Sequence, residues 1–121
     1  MVTLLPPKKH TDEVGSWKKL LGRATDEKGT GVVSVSVWAI EKRTKGWYFY
    51  KGAAKTWVKA DTKAKAWKRA KAAVTTANAK GEWSVRLTGL RQGKLFYKTS
   101  ATDLAANASK PVLKKAVLTA P

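Results

Sequence analysis

The chain has 121 residues and carries 25 Lys and Arg against 8 Asp and Glu, a formal net charge of +17. This length fits one domain that buries about two-thirds of its unfolded surface without covalent cross-links. Cysteine is absent, which excludes disulfides, thiolate metal sites and cysteine nucleophiles but leaves the redox compartment open. A hydrophobic fraction of 43% with 6 Trp excludes a disordered chain. A folded domain with a basic surface binds anions, and nucleic acid, an anionic membrane and the acidic polymers of a bacterial envelope are the candidate partners.

The N-terminal residues show no targeting or membrane signal. No stretch of the chain approaches the ~20 consecutive apolar residues that a membrane-spanning helix needs. Residues 1–7 are too short for a signal peptide and lack its basic-then-apolar order. We interpret residues 1–15 as a linker or N-terminal arm and residues 16–119 as one domain. We expect the whole to be a module of a larger parent protein.

The first predicted strands lie between residues 17 and 40. Residues 17–24 can form a strand, and residues 26–31 form a turn that begins with acidic residues and contains two glycines. Residues 32–40 alternate, with the valines at 33, 35 and 37 and Ala39 facing one way. Because Trp38 and Ile40 occupy the opposite face, we expect a central strand whose outer face is partly covered.

An aromatic hairpin is predicted next, followed by an ambiguous segment. Residues 41–46 form a charged turn, residues 47–50 begin a strand, and residues 56–58 return beside it. In residues 60–81 the abundance of Ala and Lys favours a helix with Trp67, Ala70 and Val74 on one face. The Thr-Thr-Ala-Asn sequence that ends this segment and the lack of a clear start signal argue against a helix.

The clearest pattern spans residues 81–107. Trp83, Val85 and Leu87 alternate with polar residues, and the alternation resumes at Leu95 after a segment that contains Gly89 and Gly93. This pattern predicts two strands joined across a corner, the second passing to the other sheet, because the connection is longer than a tight hairpin requires. Residues 112–118 supply a last strand. About seven short strands separated by turns predict an all-β, two-sheet sandwich with a short helix or an irregular insert around residues 60–80.

Three segments resemble one family. Residues 22–39 (GRATDEKGTGVVSVSVWA) resemble the opening of bacterial immunoglobulin-like domains, which occur as tandem modules in secreted and surface proteins, notably of actinobacteria. Residues 47–60 and Trp67 look like the family's aromatic middle section, and residues 81–107 resemble its closing strands. The resemblance covers roughly residues 17–118. It implies an immunoglobulin-like sandwich with a structural or adhesive role, outside the cell or at its surface, and without catalysis.

Few residues suit catalysis or metal binding. The single histidine, His10, lies in the arm, and no pattern places it beside a nucleophile or an acid; we expect no enzymatic activity and no cofactor. Asp26, Glu27, Asp103 and Asn107 would meet at one end of an immunoglobulin-like sandwich. Calcium is the metal that such oxygens would bind, but it takes six to eight of them. The alternative is that these side chains cap turns, so we predict no metal site.

Cations and aromatic rings interleave between residues 42 and 71. Such a pattern can stack on flat ligand faces while the cations bind phosphate or carboxylate. The structural alternative is that the rings pack across strands and the lysines solvate the outer face. The candidate ligand-binding residues are Lys42, Arg43, Lys45, Trp47, Tyr48, Tyr50, Lys51, Lys55, Trp57, Lys59, Trp67, Lys68 and Arg69.

The sequence leaves three functions open. The first is a non-catalytic spacer or adhesive module of a secreted or cell-surface bacterial protein, whose basic surface binds anionic wall or surface polymers non-specifically. The second is a nucleic-acid-binding protein. The third is a carbohydrate-binding module that uses the aromatic rings of Trp47, Tyr48, Tyr50, Trp57 and Trp67. Lysine outnumbers arginine in the candidate segment, which favours general electrostatic attraction over bidentate recognition of phosphate.

Overall fold

The structure, a computed structural model, describes residues 2–5, 12–24, 32–52, 54–78, 80–103 and 111–119. These residues form β1 (Val2–Leu5), α1 (Val14–Trp17), β2 (Lys19–Ala24), β3 (Val32–Arg43), β4 (Gly46–Lys51), β5 (Thr56–Ala60), α2 (Lys63–Arg69), β6 (Ala73–Thr75), β7 (Glu82–Arg86), β8 (Gly93–Asp103) and β9 (Val112–Leu118). The smaller sheet has the order β1-β2-β7, and the larger has the order β5-β4-β3-β8-β9 with β6 also paired to β3. All the strand pairs are antiparallel. The predicted all-β, two-sheet sandwich is confirmed.

The alternating residues of β3 and β8 build the core between the sheets. Val35, Val37 and Ala39 are fully buried, and each lies opposite a residue of β8 on the same face. From the smaller sheet, Leu20 and Trp83 pack into the same cluster. Every second residue of these strands therefore lies in the core. This confirms the predicted inward face of β3 at Val35, Val37 and Ala39.

Helix α2 covers part of the outer face of the larger sheet. Ala66 is fully buried, and it packs in a second cluster with Ile40 and Phe49 of β3 and β4. This confirms the predicted short helix and the partly covered outer face of β3. The helix has a start signal that the sequence analysis missed, because the Thr62 side chain caps it by accepting a hydrogen bond from the Lys65 N–H.

Strands β7 and β8 belong to different sheets, so the predicted corner is confirmed. The connection between them, residues 87–92, contains two buried leucines, Leu87 and Leu90. Gly89 and Gly93 have φ angles of 80° and 150°, which other residues rarely adopt. At Gly93 a Cβ would also lie 2.2 Å from the Lys42 carbonyl oxygen. The glycines thus allow the chain to turn close against β3.

Several sequence interpretations need correction. The predicted helical face of Trp67, Ala70 and Val74 is wrong in its last member, because α2 ends at Arg69 and Val74 lies in β6. The predicted charged turn at 41–46 is also wrong at its start, since β3 continues to Arg43 and Glu41 is buried. Trp17 ends α1 instead of beginning a strand, and its ring packs edge-on against Tyr97 at 5.9 Å. Residues 1–15 were predicted to be a linker or arm, but Val2–Leu5 form the strand β1 and pair with β2.

Candidate functional site

The outer face of the larger sheet combines aromatic rings with lysines. Residues of even number in β3 and β8, and of odd number in β4, point to this face, which is the face that α2 partly covers. Four aromatic side chains on it are only partly buried against the α2 cluster. They are Trp38, Trp47, Trp67 and Phe96. We call this surface the outer lysine face, and its lysines include Lys42, Lys63, Lys94, Lys98 and Lys115.

Three of these lysines lie over aromatic rings. The Lys98 ammonium is 4.2 Å from the centre of the Trp67 ring, and the Lys63 ammonium is 4.3 Å from that of Phe96. Lys42 and Lys63 both approach the Trp47 ring, at 5.4 and 5.8 Å. A cation over a ring face is attracted by the ring quadrupole. These contacts hold the ammonium groups close to the sheet surface while leaving their N–H donors available.

Two lysines of this face lie directly opposite each other in the sheet. Lys42 of β3 and Lys94 of β8 are direct cross-strand partners, and both are exposed. Like charges directly opposite each other destabilise a sheet. None of Lys42, Lys63, Lys94 or Lys98 forms an ion pair within the described residues, whose strand positions on this face include no Asp or Glu. A bound anion would relieve this repulsion.

Arg43, Tyr50 and Trp57 instead point to the inner side of the same sheet and bind the β7–β8 connection. The Arg43 Nη2 donates to the Gly89 carbonyl at 3.1 Å, and the Trp57 indole donates to the Thr88 carbonyl at 2.8 Å. The Tyr50 hydroxyl accepts from the Thr88 N–H at 3.3 Å. These three candidate ligand-binding residues therefore hold the two sheets together at this corner.

A buried carboxylate anchors Arg43. Glu41 is fully buried, and its Oε1 accepts a hydrogen bond from the Arg43 Nε at 2.6 Å and from the Arg91 N–H at 3.4 Å. The Arg43 guanidinium also lies 4.6 Å from the Tyr48 ring centre and 5.0 Å from that of Trp57. Burial raises the pKa of Glu41, and the hydrogen bond and charge of Arg43 oppose that rise.

The remaining candidate residues are spread over the surface. Lys45 lies in the β3–β4 turn and Lys55 in the β4–β5 turn, where Lys55 has a left-handed φ of 55°. Lys59 is exposed on the edge strand β5, on the same face as Tyr48. The other three are also exposed, on β4 and α2: Lys51, Lys68 and Arg69. The thirteen candidates thus divide between the two faces and the turns, and they do not form one site.

The sequence analysis missed the contribution of β8 to the outer lysine face. Lys94, Phe96 and Lys98 follow one another at alternate positions between the buried Leu95, Tyr97 and Thr99. The same alternation that predicted the buried residues would have placed these three together on the opposite face. Their meeting with Trp47 and Trp67, however, depends on the strand order and on the position of α2.

The metal candidates lie mostly outside the described residues. Asp26, Glu27 and Asn107 fall there, and Asp103 ends β8. Among the described residues no three His, Cys, Asp or Glu side chains come together as a metal site. His10 also lies outside the described part.

No described helix has the length and apolar character needed to cross a membrane. Comparison of the chain with family models, with curated proteins and with solved structures found no match. The resemblance to bacterial immunoglobulin-like domains therefore stays a prediction. What the protein does must be argued from the chemistry of its surfaces.

Proposed function

We propose that this chain is a non-catalytic β-sandwich module that binds anionic polymers through its outer lysine face. It would serve as a spacer or adhesive unit of a secreted or cell-surface bacterial protein, with cell-wall or surface polymers as its partners. The surface position and the bacterial source rest on the family resemblance. The binding activity rests on the structure of the outer lysine face and on the net charge of +17.

The observation that supports binding most directly is the cross-strand pair of Lys42 and Lys94, with Lys63 near the same Trp47 ring as Lys42. This arrangement concentrates positive charge on one face of the sheet and leaves it without a carboxylate partner in the described residues. A polymer with repeated negative charges matches such a surface without needing a pocket. Lysine ammonium groups favour general electrostatic attraction over a fixed bidentate geometry.

The two alternative functions need open aromatic faces. A neutral sugar or a nucleic-acid base stacks on a free ring face, whereas Lys98 lies over Trp67 and Lys63 lies over Phe96. We therefore place anionic polymers first. Equal affinity for heparin and DNA would support non-specific polyanion binding, and a preference for one nucleic acid would favour the second function. A change in tryptophan fluorescence on adding neutral glycans would favour the third.

Sedimentation with purified bacterial cell wall across a salt series tests the proposal. We expect retention at low salt that is lost steadily as salt screens the charges. Retention that does not respond to salt would contradict an electrostatic origin. The double variant Lys63→Gln/Lys98→Gln should bind less wall at every salt concentration.

The matched control is Lys19→Gln/Lys80→Gln, which removes the same charge from exposed residues on β2 and before β7. If both double variants lose binding equally, only net charge matters and the outer lysine face is not the site. Circular dichroism of all the variants checks that they keep the fold of the parent chain.

A further inference from the structure

A second basic surface lies at one end of the sandwich, apart from the outer lysine face. A groove of about 800 Å³ opens there between α1, the β3–β4 turn and the β7–β8 connection. This volume lies within the range of small-molecule sites, about 300–1,000 Å³. Its cationic lining residues are Lys18, Arg43, Lys45 and Arg91. None of the described residues that line the groove is acidic.

One of the four cations is held in a fixed position. Arg43 donates to Glu41 and to the Gly89 carbonyl, and its guanidinium lies against the Tyr48 ring. Tyr48 itself lines the groove. These contacts fix the Arg43 guanidinium beside the Tyr48 ring, so this wall of the groove is preorganised for a ligand.

The other three cations form no ion pair within the part of the chain that the structure describes. Glu41 is buried and paired with Arg43. Lys18, Lys45 and Arg91 are exposed, and their side chains form no ion pair in the described residues. One carboxylate, Glu41, faces the charges of both Arg43 and Arg91, so the four cations keep an excess of positive charge that favours a ligand with more than one negative charge. A phosphate monoester carries about two near neutral pH.

The groove also offers apolar surface for an organic group. Val14 and Leu90 line it beside Tyr48. A sugar-sized body can lie against these side chains while an attached phosphate approaches Lys45 and Arg91. We propose that this groove binds a small organic phosphate monoester, with Lys18, Lys45 and Arg91 as the cations that recognise the phosphate. This site is independent of the outer lysine face, since the two share no residue.

Titration with ribose 5-phosphate, followed by backbone amide NMR, tests this inference. The expected result is a saturable shift of the amides of the β3–β4 turn and of residues 90–92. Unphosphorylated ribose at the same concentration and ionic strength should produce no saturable shift. Lys45→Gln and Arg91→Gln should each weaken binding about two- to fivefold, as expected for removal of one exposed charge.

Lys68→Gln is the matched control, because it removes one exposed charge from α2, away from the groove. It should leave the affinity for ribose 5-phosphate unchanged. The inference is overturned if the shifts do not saturate, if ribose alone reproduces them, or if Lys68→Gln weakens binding as much as Arg91→Gln. None of these results bears on polymer binding, which is measured on the Lys63→Gln/Lys98→Gln variant.

Discussion

Cations meet aromatic rings at two places in this protein, and the two differ in how their polar atoms are used. At the corner between the sheets, Arg43 lies against Tyr48 and Trp57, and its N–H groups bind Glu41 and the Gly89 carbonyl. On the outer lysine face, Lys63 and Lys98 lie over their rings without a carboxylate partner in the described residues. The corner uses its charge for folding, while the outer face leaves its charge available to a ligand.

This difference explains why a pattern of alternating cations and rings is a weak guide to function. Lys42 and Arg43 are neighbours in sequence, yet they point to opposite faces of β3. The same holds for Trp47 and Tyr48 in β4. Substitutions on opposite faces of the larger sheet therefore separate the structural surface from the binding surface.

The largest effect is expected from Arg43→Ala. Its loss leaves the buried Glu41 carboxylate without its ionic partner and frees the Gly89 carbonyl, so we expect a loss of about 3 kcal/mol in the free energy of unfolding. Lys42→Ala is the matched control, and we expect a change of no more than about 0.5 kcal/mol for that exposed side chain. Urea denaturation measures both. Equal destabilisation by the two variants would contradict the distinction between the faces.

A smaller effect is expected from Trp57→Phe. The variant keeps a ring against Tyr50 but removes the indole N–H that binds the Thr88 carbonyl, at a cost of about 1 kcal/mol. Trp47→Phe on the outer face removes an indole N–H for which no hydrogen bond is described. Its free energy of unfolding should change less than that of Trp57→Phe, and a larger loss would show that the outer face is structural too.

Helix α2, which covers part of the outer lysine face, can be destabilised separately. Thr62→Ala removes the N-terminal cap of α2, and we expect a loss of about 1 kcal/mol in the free energy of unfolding. Thr62→Ser keeps the hydroxyl and should restore most of that stability. If Thr62→Ser is as unstable as Thr62→Ala, the cap hydrogen bond is not what stabilises the helix.

The smallest effect is expected from pH, because Arg43 opposes the rise in the Glu41 pKa that burial produces. A raised pKa means that the folded protein binds the proton more tightly than the unfolded chain does. The contribution of Glu41 to stability is therefore complete below its ordinary pKa of 4.5 and is lost as the pH rises through the raised value. Glu41→Gln lacks this titration, so the change in its free energy of unfolding between pH 4 and pH 7 should differ from that of the parent chain. An equal change in the two proteins would contradict the prediction.

Much of the fold was predictable because alternation alone reports which face of a strand is buried. It identified Trp83, Val85 and Leu87 as buried residues, and the length of the connection after them predicted the change of sheet. The extent of β3 was not predictable in this way, since a charged residue such as Glu41 is rarely buried unless a partner satisfies it. That partner, Arg43, is visible in the sequence, but the Arg91 N–H and the packing around both are not.

The candidate site was predicted only in part for a similar reason. Lys42, Trp47 and Trp67 were identified from one continuous segment of sequence. Their neighbours Lys94 and Lys98 come from β8, some fifty residues away from Lys42 and brought beside β3 by strand pairing. Pairing between distant strands depends on tertiary packing, so residues that are close only across strands escape a search of local sequence.

The indole N–H signals of the six tryptophans provide the most direct test of polymer binding by the outer lysine face. In a two-dimensional ¹H–¹⁵N NMR titration with heparin, the resonances of Trp47 and Trp67 should shift as the outer lysine face binds the polymer. The Trp57 resonance, whose N–H is bonded to the Thr88 carbonyl, and that of the buried Trp83 should remain in place. Heparin binding that shifts Trp57 and leaves Trp47 and Trp67 unchanged would contradict the assignment of polymer binding to the outer face.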